Sequence, residues 1–128
     1  GSMPACPKIH MGYIDVRDVA KAHIYSMTEE RTDGERIIVS EKEMFFAEVG
    51  RTLNEAGFKK SPTKEMPNFL VKIMSLFVGE LKGLLPALSR KGDIDKSKAK
   101  SFFDWNYIST EQSVTETAQQ LQDMGLTK

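Results

Sequence analysis

The chain has 128 residues, of which 40% are hydrophobic and 28% are charged, and its formal net charge is zero. This size and balance are typical of one globular domain with a buried core and argue against a disordered chain. The neutral charge also argues against a basic surface that recruits nucleic acid or an anionic membrane.

Residues 1–10 predict no regular element. Gly1-Ser2-Met3 resembles the cleavage scar of a purification tag, and the prolines at positions 4 and 7 favour a loose leader. We therefore expect residues 11–128 to form the single domain. Cys6 is the only cysteine and has no internal disulfide partner, which fits a reducing, cytoplasmic compartment.

Residues 11–30 predict a short extended entry followed by an amphipathic helix over 16–30. Asp15 and Asp18 are both candidates to cap this helix, because a carboxylate accepts the free N–H groups of a helix start and favours the positive end of its dipole. The apolar residues recur at helical spacing and predict one buried face. That face comprises Val16, Val19, Ala20, His23, Ile24 and Met27. On it, we expect His23 to be buried and to donate a hydrogen bond to a carbonyl.

The next stretch predicts a strand and a second helix. Ile37-Ile38-Val39 follows a turn signal at residues 32–34 and is typical of a buried strand of a parallel sheet. Ser40 and Glu43 have the spacing of a capping box, which predicts a helix that follows directly and ends at Gly57. The order helix, strand, helix predicts an α/β fold.

Residues 67–88 predict helix that is apolar on nearly every side. Pro67 suits the first turn of a helix, and such an all-round apolar pattern indicates burial on more than one side. Lys72, Glu80 and Lys82 interrupt the stretch, so it is too charged for a membrane span. We expect this surface to face a partner domain or a second copy, or to pack as a helical pair beneath the rest of the chain.

The last forty residues return to a polar pattern. Arg90 and Lys91 follow the apolar stretch on a predicted loop and are candidates to bind a phosphate or carboxylate of a substrate. A solvated basic face is the favoured explanation of this cluster. Asp95 is placed to cap a helix over 96–103, and a closing helix is predicted to start near Ser109 or Thr110.

Motifs that carry chemistry are missing from this sequence. It contains no glycine-rich turn of the kind that holds a dinucleotide or a nucleoside triphosphate. Cys6, His10 and His23 do not have the spacing of zinc ligands. We therefore predict no catalytic residue, no cofactor site and no metal site in this chain.

Four segments carry a family resemblance. Residues 14–23 read Ile-Asp-Val-Arg-Asp-Val-Ala-Lys-Ala-His and resemble the strand-to-helix segment in the second half of extended short-chain dehydrogenase/reductases. Residues 34–40 resemble the next sheet strand of that family. Residues 93–105 resemble its Asp-x-Ser-Lys-Ala…Leu-Gly-Trp segment, with Phe103-Asp104 in place of leucine and glycine. Residues 84–86 resemble the helical substrate lobe of the dihydroflavonol-reductase-like branch.

The resemblance implies a helix-rich α/β fold, namely the C-terminal fragment of a Rossmann-type fold together with its substrate-binding lobe. It implies a parent that is an NAD(P)-dependent oxidoreductase or epimerase acting on a carbonyl, an alcohol or a nucleotide sugar. The choices between NAD and NADP and between reductase and epimerase stay open. A nucleotide-binding half outside this chain would be its partner.

The same resemblance bears on activity. The family uses a tyrosine with a lysine four residues later, which lowers the tyrosine pKa for proton exchange. At that spacing, the tyrosines of this chain are followed by other residues: Arg17 after Tyr13, Glu29 after Tyr25 and Glu111 after Tyr107. The resemblance therefore implies a fragment that is inactive alone.

An alternative interpretation is a non-enzymatic helical module for protein interaction or oligomerisation, which the apolar stretch at residues 69–88 supports. A fragment cut from a sheet has an uncovered apolar face and an unpaired strand edge, so the fragment interpretation predicts self-association, by strand or helix exchange.

Overall fold

The computed structural model describes residues 5–126, so the predicted tag scar at residues 1–3 lies outside the described residues. The described part is helix-rich with two small sheets. Its strands are β1 (Cys6–Pro7), β2 (His10–Tyr13), β3 (Lys42–Phe45) and β4 (Glu65–Met66). Its α-helices are α1 (Val16–Thr28), α2 (Phe46–Glu55), α3 (Asn68–Met74), α4 (Ser97–Phe102) and α5 (Thr110–Asp123). Two 3₁₀ segments, Glu30–Thr32 and Gly79–Ala87, complete the element order.

The predicted loose leader is wrong from residue 6 onward, because its backbone pairs with later segments. β1 runs parallel to β4, and Cys6 donates its backbone N–H to Lys64 at 2.9 Å. β2 runs antiparallel to β3, from the pair His10–Phe45 to the pair Tyr13–Lys42. Pro7 is tolerated because a two-residue strand needs few backbone donors.

The capping role predicted for Ser40 is also wrong. The residues after it form β3, so α2 begins at Phe46. Pairing with β2 satisfies the backbone groups that a capping box would otherwise serve. The Ser40 hydroxyl instead lies 3.4 Å from the Tyr13 carbonyl and 3.4 Å from a Glu43 carboxylate oxygen. The start of α2 is served by Glu48, which accepts the Phe45 N–H at 2.7 Å.

The end of α2 confirms the stop predicted at Gly57. This glycine has φ 106°, and the Phe58 N–H donates to the Leu53 carbonyl at 2.9 Å while the Gly57 N–H donates to Asn54 at 3.2 Å. These two bonds form a Schellman motif, which requires the left-handed conformation that glycine adopts without strain.

The β-branched run at residues 37–39 is not a strand in the described part of the chain. Within residues 5–126, no backbone–backbone hydrogen bond involves residues 36–40. The side chains of Ile37 and Val39 nevertheless pack against a core of Ala22, Ala99 and Phe103. The segment therefore has the burial of a strand on one side without a neighbouring strand to pair with.

Helix α1 buries a different face from the predicted one. Asp18 and Ala22 are buried, and Tyr25 meets Phe103 edge-on with ring centroids 5.5 Å apart. We define the α1 face as the opposite side, formed by Val16, Ala20, Ile24 and Met27, all of which are exposed. Met27 is 83% exposed. The apolar residues do lie on one side of the helix, as predicted. Their predicted burial is wrong, because nothing in the described residues covers them.

The apolar stretch at residues 67–88 is also exposed where burial was predicted. It forms α3 and then the 3₁₀ segment that contains Pro86. Val71, at 1% exposure, and Ser75 anchor the helix, whereas Phe69, Ile73 and Phe77 are exposed. Among the described helices, none has the length and apolar character needed to cross a membrane.

Candidate functional site

A groove of about 390 Å³ opens beside the second half of α1. Its walls come from α1, from the turn after the first 3₁₀ segment, from the extended run at residues 35–39 and from Phe103. The lining combines apolar and polar side chains: Ala22, His23, Ser26, Met27, Thr32, Asp33, Glu35, Ile37, Val39 and Phe103. A cavity of this size and mixed lining is typical of sites for small molecules.

His23 places a titratable ring in the groove. Its Nδ1 lies 2.8 Å from the Val19 carbonyl. A carbonyl only accepts, so Nδ1–H donates and the neutral ring offers Nε2 as an acceptor. The predicted donation to a carbonyl is confirmed, but the predicted burial of His23 is wrong, because the ring is exposed.

The groove rim is held by the turn that follows α1. The buried Thr32 hydroxyl donates to the Glu29 carbonyl at 2.7 Å, with the Ser26 carbonyl 3.1 Å away. Gly34 completes the turn with φ 72°. Glu35 forms an ion pair with Lys98 of α4, so this acidic rim residue is partly neutralised.

The predicted substrate residues Arg90 and Lys91 lie elsewhere. Both are exposed on the loop before α4, and neither lines the groove. The loop is fixed at Ser89, whose backbone N–H donates to the Lys8 carbonyl at 2.7 Å and whose hydroxyl accepts from Asn68 Nδ2 at 2.8 Å. The structure does not bring the two basic residues and the groove together.

Asp15 caps α1 as predicted. Its Oδ1 accepts the Arg17 N–H at 2.8 Å, and the Arg17 guanidinium donates to both carboxylate oxygens at 2.9 and 2.8 Å. This hydrogen-bonded cation holds the pKa of the Asp15 carboxyl far below its usual range, against the opposing effect of burial.

The other two predicted caps have different outcomes. Asp18 lies in the first turn of α1 but does not cap it; its buried carboxylate accepts the distant Ile108 N–H at 2.7 Å. Asp95 Oδ1 accepts the N–H of Ser97, the first residue of α4, at 2.9 Å. Asp95 therefore caps α4 from one position before the helix cap. Hydrogen bonding with the Ser97 side chain, together with the bond from the Ser97 N–H, lowers the pKa of the Asp95 carboxyl.

Sequence reasoning missed the contacts that hold α5. Its predicted start is confirmed, with Ser109 as the cap. In addition, Glu41 accepts both the Thr110 hydroxyl at 2.5 Å and the Thr110 N–H at 3.0 Å. Arg17 reaches Glu116 at 2.6 Å. These partners are 69 and 99 positions apart, so no local pattern signals them.

Carboxylates therefore occupy four helix starts. They belong to Asp15 at α1, Glu48 at α2, Asp95 at α4 and Glu41 at α5. A helix start binds phosphate through free N–H groups and its positive dipole end. Here the carboxylates already supply the negative charge, so these four ends are unsuited to a second anion.

Two of the tyrosines are disfavoured from ionising. Burial raises the pKa of Tyr13 and of Tyr107, and the nearby Asp18 raises that of Tyr107 further. The Tyr25 hydroxyl donates to Glu29 at 3.2 Å. Within residues 5–126, no group of three or more His, Cys, Asp or Glu side chains is arranged to hold a metal ion.

Comparison with known proteins identifies relatives for nearly the whole chain, although no family model matches it. It is 30% identical over 115 residues to the NADPH-dependent methylglyoxal reductase GRE2 of Saccharomyces cerevisiae, covering 90% of this chain and 30% of that protein. The crystal structure of yeast methylglyoxal/isovaleraldehyde reductase Gre2 complexed with NADPH matches 94% of this chain and 36% of that chain, with a TM-score of 0.67 and 26% identity.

A third match concerns the fold alone. The crystal structure of gox2253 covers 100% of this chain and 42% of that chain with a TM-score of 0.74 at 16% identity. The chain thus spans about a third of the length of the relatives it matches. Sequence and fold agree with the resemblance found in residues 14–23, and the chain is similar to a part of extended short-chain dehydrogenase/reductase-like proteins.

Proposed function

We propose that this chain is the substrate-binding portion of an NAD(P)-dependent reductase and that its α1 face packs against the nucleotide-binding portion of the same protein. The observation that carries the proposal is the uncovered α1 face. The reductase activities of the relatives favour a reductase of small carbonyl compounds over an epimerase.

The α1 face has the form of a buried helix surface. Val16, Ala20, Ile24 and Met27 recur every three or four residues along one side of the helix, yet all are exposed. Burying a Val, Ile or Met side chain contributes about 1.5–3 kcal/mol. The matched relatives are about three times as long as this chain, so they contain additional polypeptide of the kind that would cover such a face.

The extended run at residues 36–40 supports the same packing. Its β-branched side chains pack on the core, whereas its backbone makes no backbone–backbone hydrogen bond in the described part of the chain. Unpaired backbone groups of an extended segment are a template for a neighbouring strand. We infer that a strand of the nucleotide-binding portion pairs here and completes a Rossmann-type sheet.

We place the cofactor outside this chain. NADPH carries a pyrophosphate, and carboxylates already occupy the starts of α1, α2, α4 and α5. We therefore assign to this chain the binding and orientation of the substrate through the groove. Arg90 and Lys91 lie outside the groove and stay separate candidates to bind a phosphate or carboxylate group. His23 Nε2 is available in the groove to accept a hydrogen bond from a hydroxyl group.

The test uses the purified chain and two ligands. We expect no NADPH oxidation with isovaleraldehyde and no measurable NADPH binding by calorimetry. We expect 3-methyl-1-butanol, the unreactive alcohol of that aldehyde, to shift the NMR signals of His23 and Val39. A matched variant, Val39→Phe, narrows the groove and removes the shift of the His23 signals. Catalytic NADPH oxidation by the chain alone, or alcohol-induced shifts only outside the groove, would refute the proposal.

A second candidate function is a non-enzymatic interaction module, and the exposure of α3 favours it. In this case the groove would bind neither alcohol nor carbonyl compound, so the same NMR titration separates the two functions.

A further inference from the structure

Phe103 lies at the closed end of the groove. Its side chain is buried and packs in one cluster with Ala22, which is also buried and also lines the groove. The polar lining residues His23, Asp33 and Glu35 are exposed instead. A ligand that enters from solvent therefore meets polar groups first and buried apolar side chains last.

The Phe103 ring is held by its neighbours. Tyr25 meets it edge-on, with ring centroids 5.5 Å apart, and Trp105 lies against it at 4.7 Å with the ring planes inclined by 32°. The Phe103 N–H donates to the carbonyl of Ala99 at 2.8 Å, and Ala99 packs against the same cluster. Aromatic pairs at these distances favour particular relative geometries. The ring therefore has little freedom to turn away from a ligand.

Trp105, the ring behind Phe103, is itself held in place. The Lys21 ammonium lies 4.3 Å from the centroid of the Trp105 ring, within the range of a cation–π interaction. Tyr25 also meets Trp105, with centroids 5.8 Å apart. The three aromatic rings thus contact one another pairwise and form a firm wall at the closed end of the groove.

We infer that Phe103 is a specificity-determining residue that limits the length of the substrate's apolar end. The inference rests on the proposed function, because it concerns the same groove. Ile37 and Val39 also line the groove, but they are smaller than Phe103 and only half-buried. A substrate with its oxygen at the polar mouth directs its apolar end toward Phe103. One further methylene must then displace a packed ring, which a close-packed interior resists.

The test compares 3-methyl-1-butanol with 4-methyl-1-pentanol, which is longer by one methylene, and takes both dissociation constants from the NMR shifts of His23. A methylene that finds apolar space improves binding about 4-fold. We expect the unsubstituted chain to bind the longer alcohol no more tightly than the shorter one. Phe103→Leu opens space at the closed end, so there we expect the longer alcohol to bind about 4-fold more tightly than the shorter one.

Phe102→Leu is the matched control, because Phe102 packs against the same cluster but does not line the groove. We expect it to keep the ratio of the two dissociation constants found for the unsubstituted chain. Phe103→Met is the second variant if Phe103→Leu does not fold by circular dichroism. Its flexible side chain also gives way to the added methylene, so we expect the same change of ratio.

Two results would overturn the inference and leave the proposed function standing. One is an unchanged ratio in a folded Phe103 variant, and the other is a 4-fold gain already present in the unsubstituted chain. If neither alcohol shifts the signals of the groove in the unsubstituted chain, the proposed function fails and this inference fails with it.

Discussion

At the scale of single residues, buried carboxylates accept backbone hydrogen bonds both within α1 and from a distant part of the chain. Asp15 serves its own helix, whereas Asp18, three positions later, reaches across the fold to Ile108. Composition and spacing predicted an acidic helix start but not this division of roles. The division depends on the chain that folds back over α1, and a local pattern contains no information about it.

Replacing Asp18 tests this long-range bond. The carboxylate is 5% exposed and accepts the Ile108 N–H at 2.7 Å. Asp18→Ala leaves that N–H buried without its acceptor, and we expect a loss of about 2 kcal/mol in the free energy of unfolding. Asp18→Asn keeps an oxygen in place and should lose less than half as much. Urea unfolding measures both, and equal losses would show that the bond is not what the carboxylate contributes.

Asp15 predicts a pH dependence. Because the Arg17 guanidinium lowers the pKa of Asp15 in the folded state, its stabilisation is present above the unfolded pKa of about 3.9 and is lost as pH falls toward the folded value. At pH 7 we expect Asp15→Asn to be less stable than the parent by about 1 kcal/mol. Below about pH 4 the difference should shrink. Urea unfolding from pH 3 to 7 measures it, and a constant difference would contradict the linkage.

At the scale of elements, the sequence predicted where helices begin and end better than it predicted what each element packs against. The predicted helix over 16–30 corresponds to α1 at Val16–Thr28, and Gly57 ends α2 in a Schellman motif. By contrast, Ser40 failed as a cap because pairing of β3 with β2 overrode the local preference. The pattern at residues 69–88 correctly showed an apolar surface, but it contained no information on which side the chain itself would cover.

Gly50 in the middle of α2 marks a close approach that the sequence did not signal. A Cβ at this position would lie 1.9 Å from the Pro62 carbonyl oxygen. Gly50→Ala improves helix propensity by about 1 kcal/mol, yet we expect a net loss of about 2 kcal/mol or more because backbone must move. Gly79→Ala is the control, since open space surrounds that position. Thermal unfolding measures whether Gly50→Ala raises or lowers the stability. A more stable variant would show that the backbone at Pro62 moves away at little cost.

At the scale of the whole molecule, the family resemblance was readable from four short segments, and the matches to reductases agree with it. The groove was not readable, because its lining comes from positions 22–39 and from Phe103, and only the folded chain joins them. The proposed substrate contacts at Arg90 and Lys91 remain predictions. The apolar residues of α1 and of α3 could both be recognised in the sequence from their spacing, but their exposure could not.

Met27 belongs to two surfaces at once. It is part of the α1 face and also lines the groove. An α-helix moves as a nearly rigid rod, so a tilt at one surface displaces side chains at the other. On the proposed packing, a shift of the nucleotide-binding portion would therefore move α1 against Phe103 and change the width of the groove. Binding of the cofactor to that portion would then change the affinity of the groove for the substrate through the position of α1.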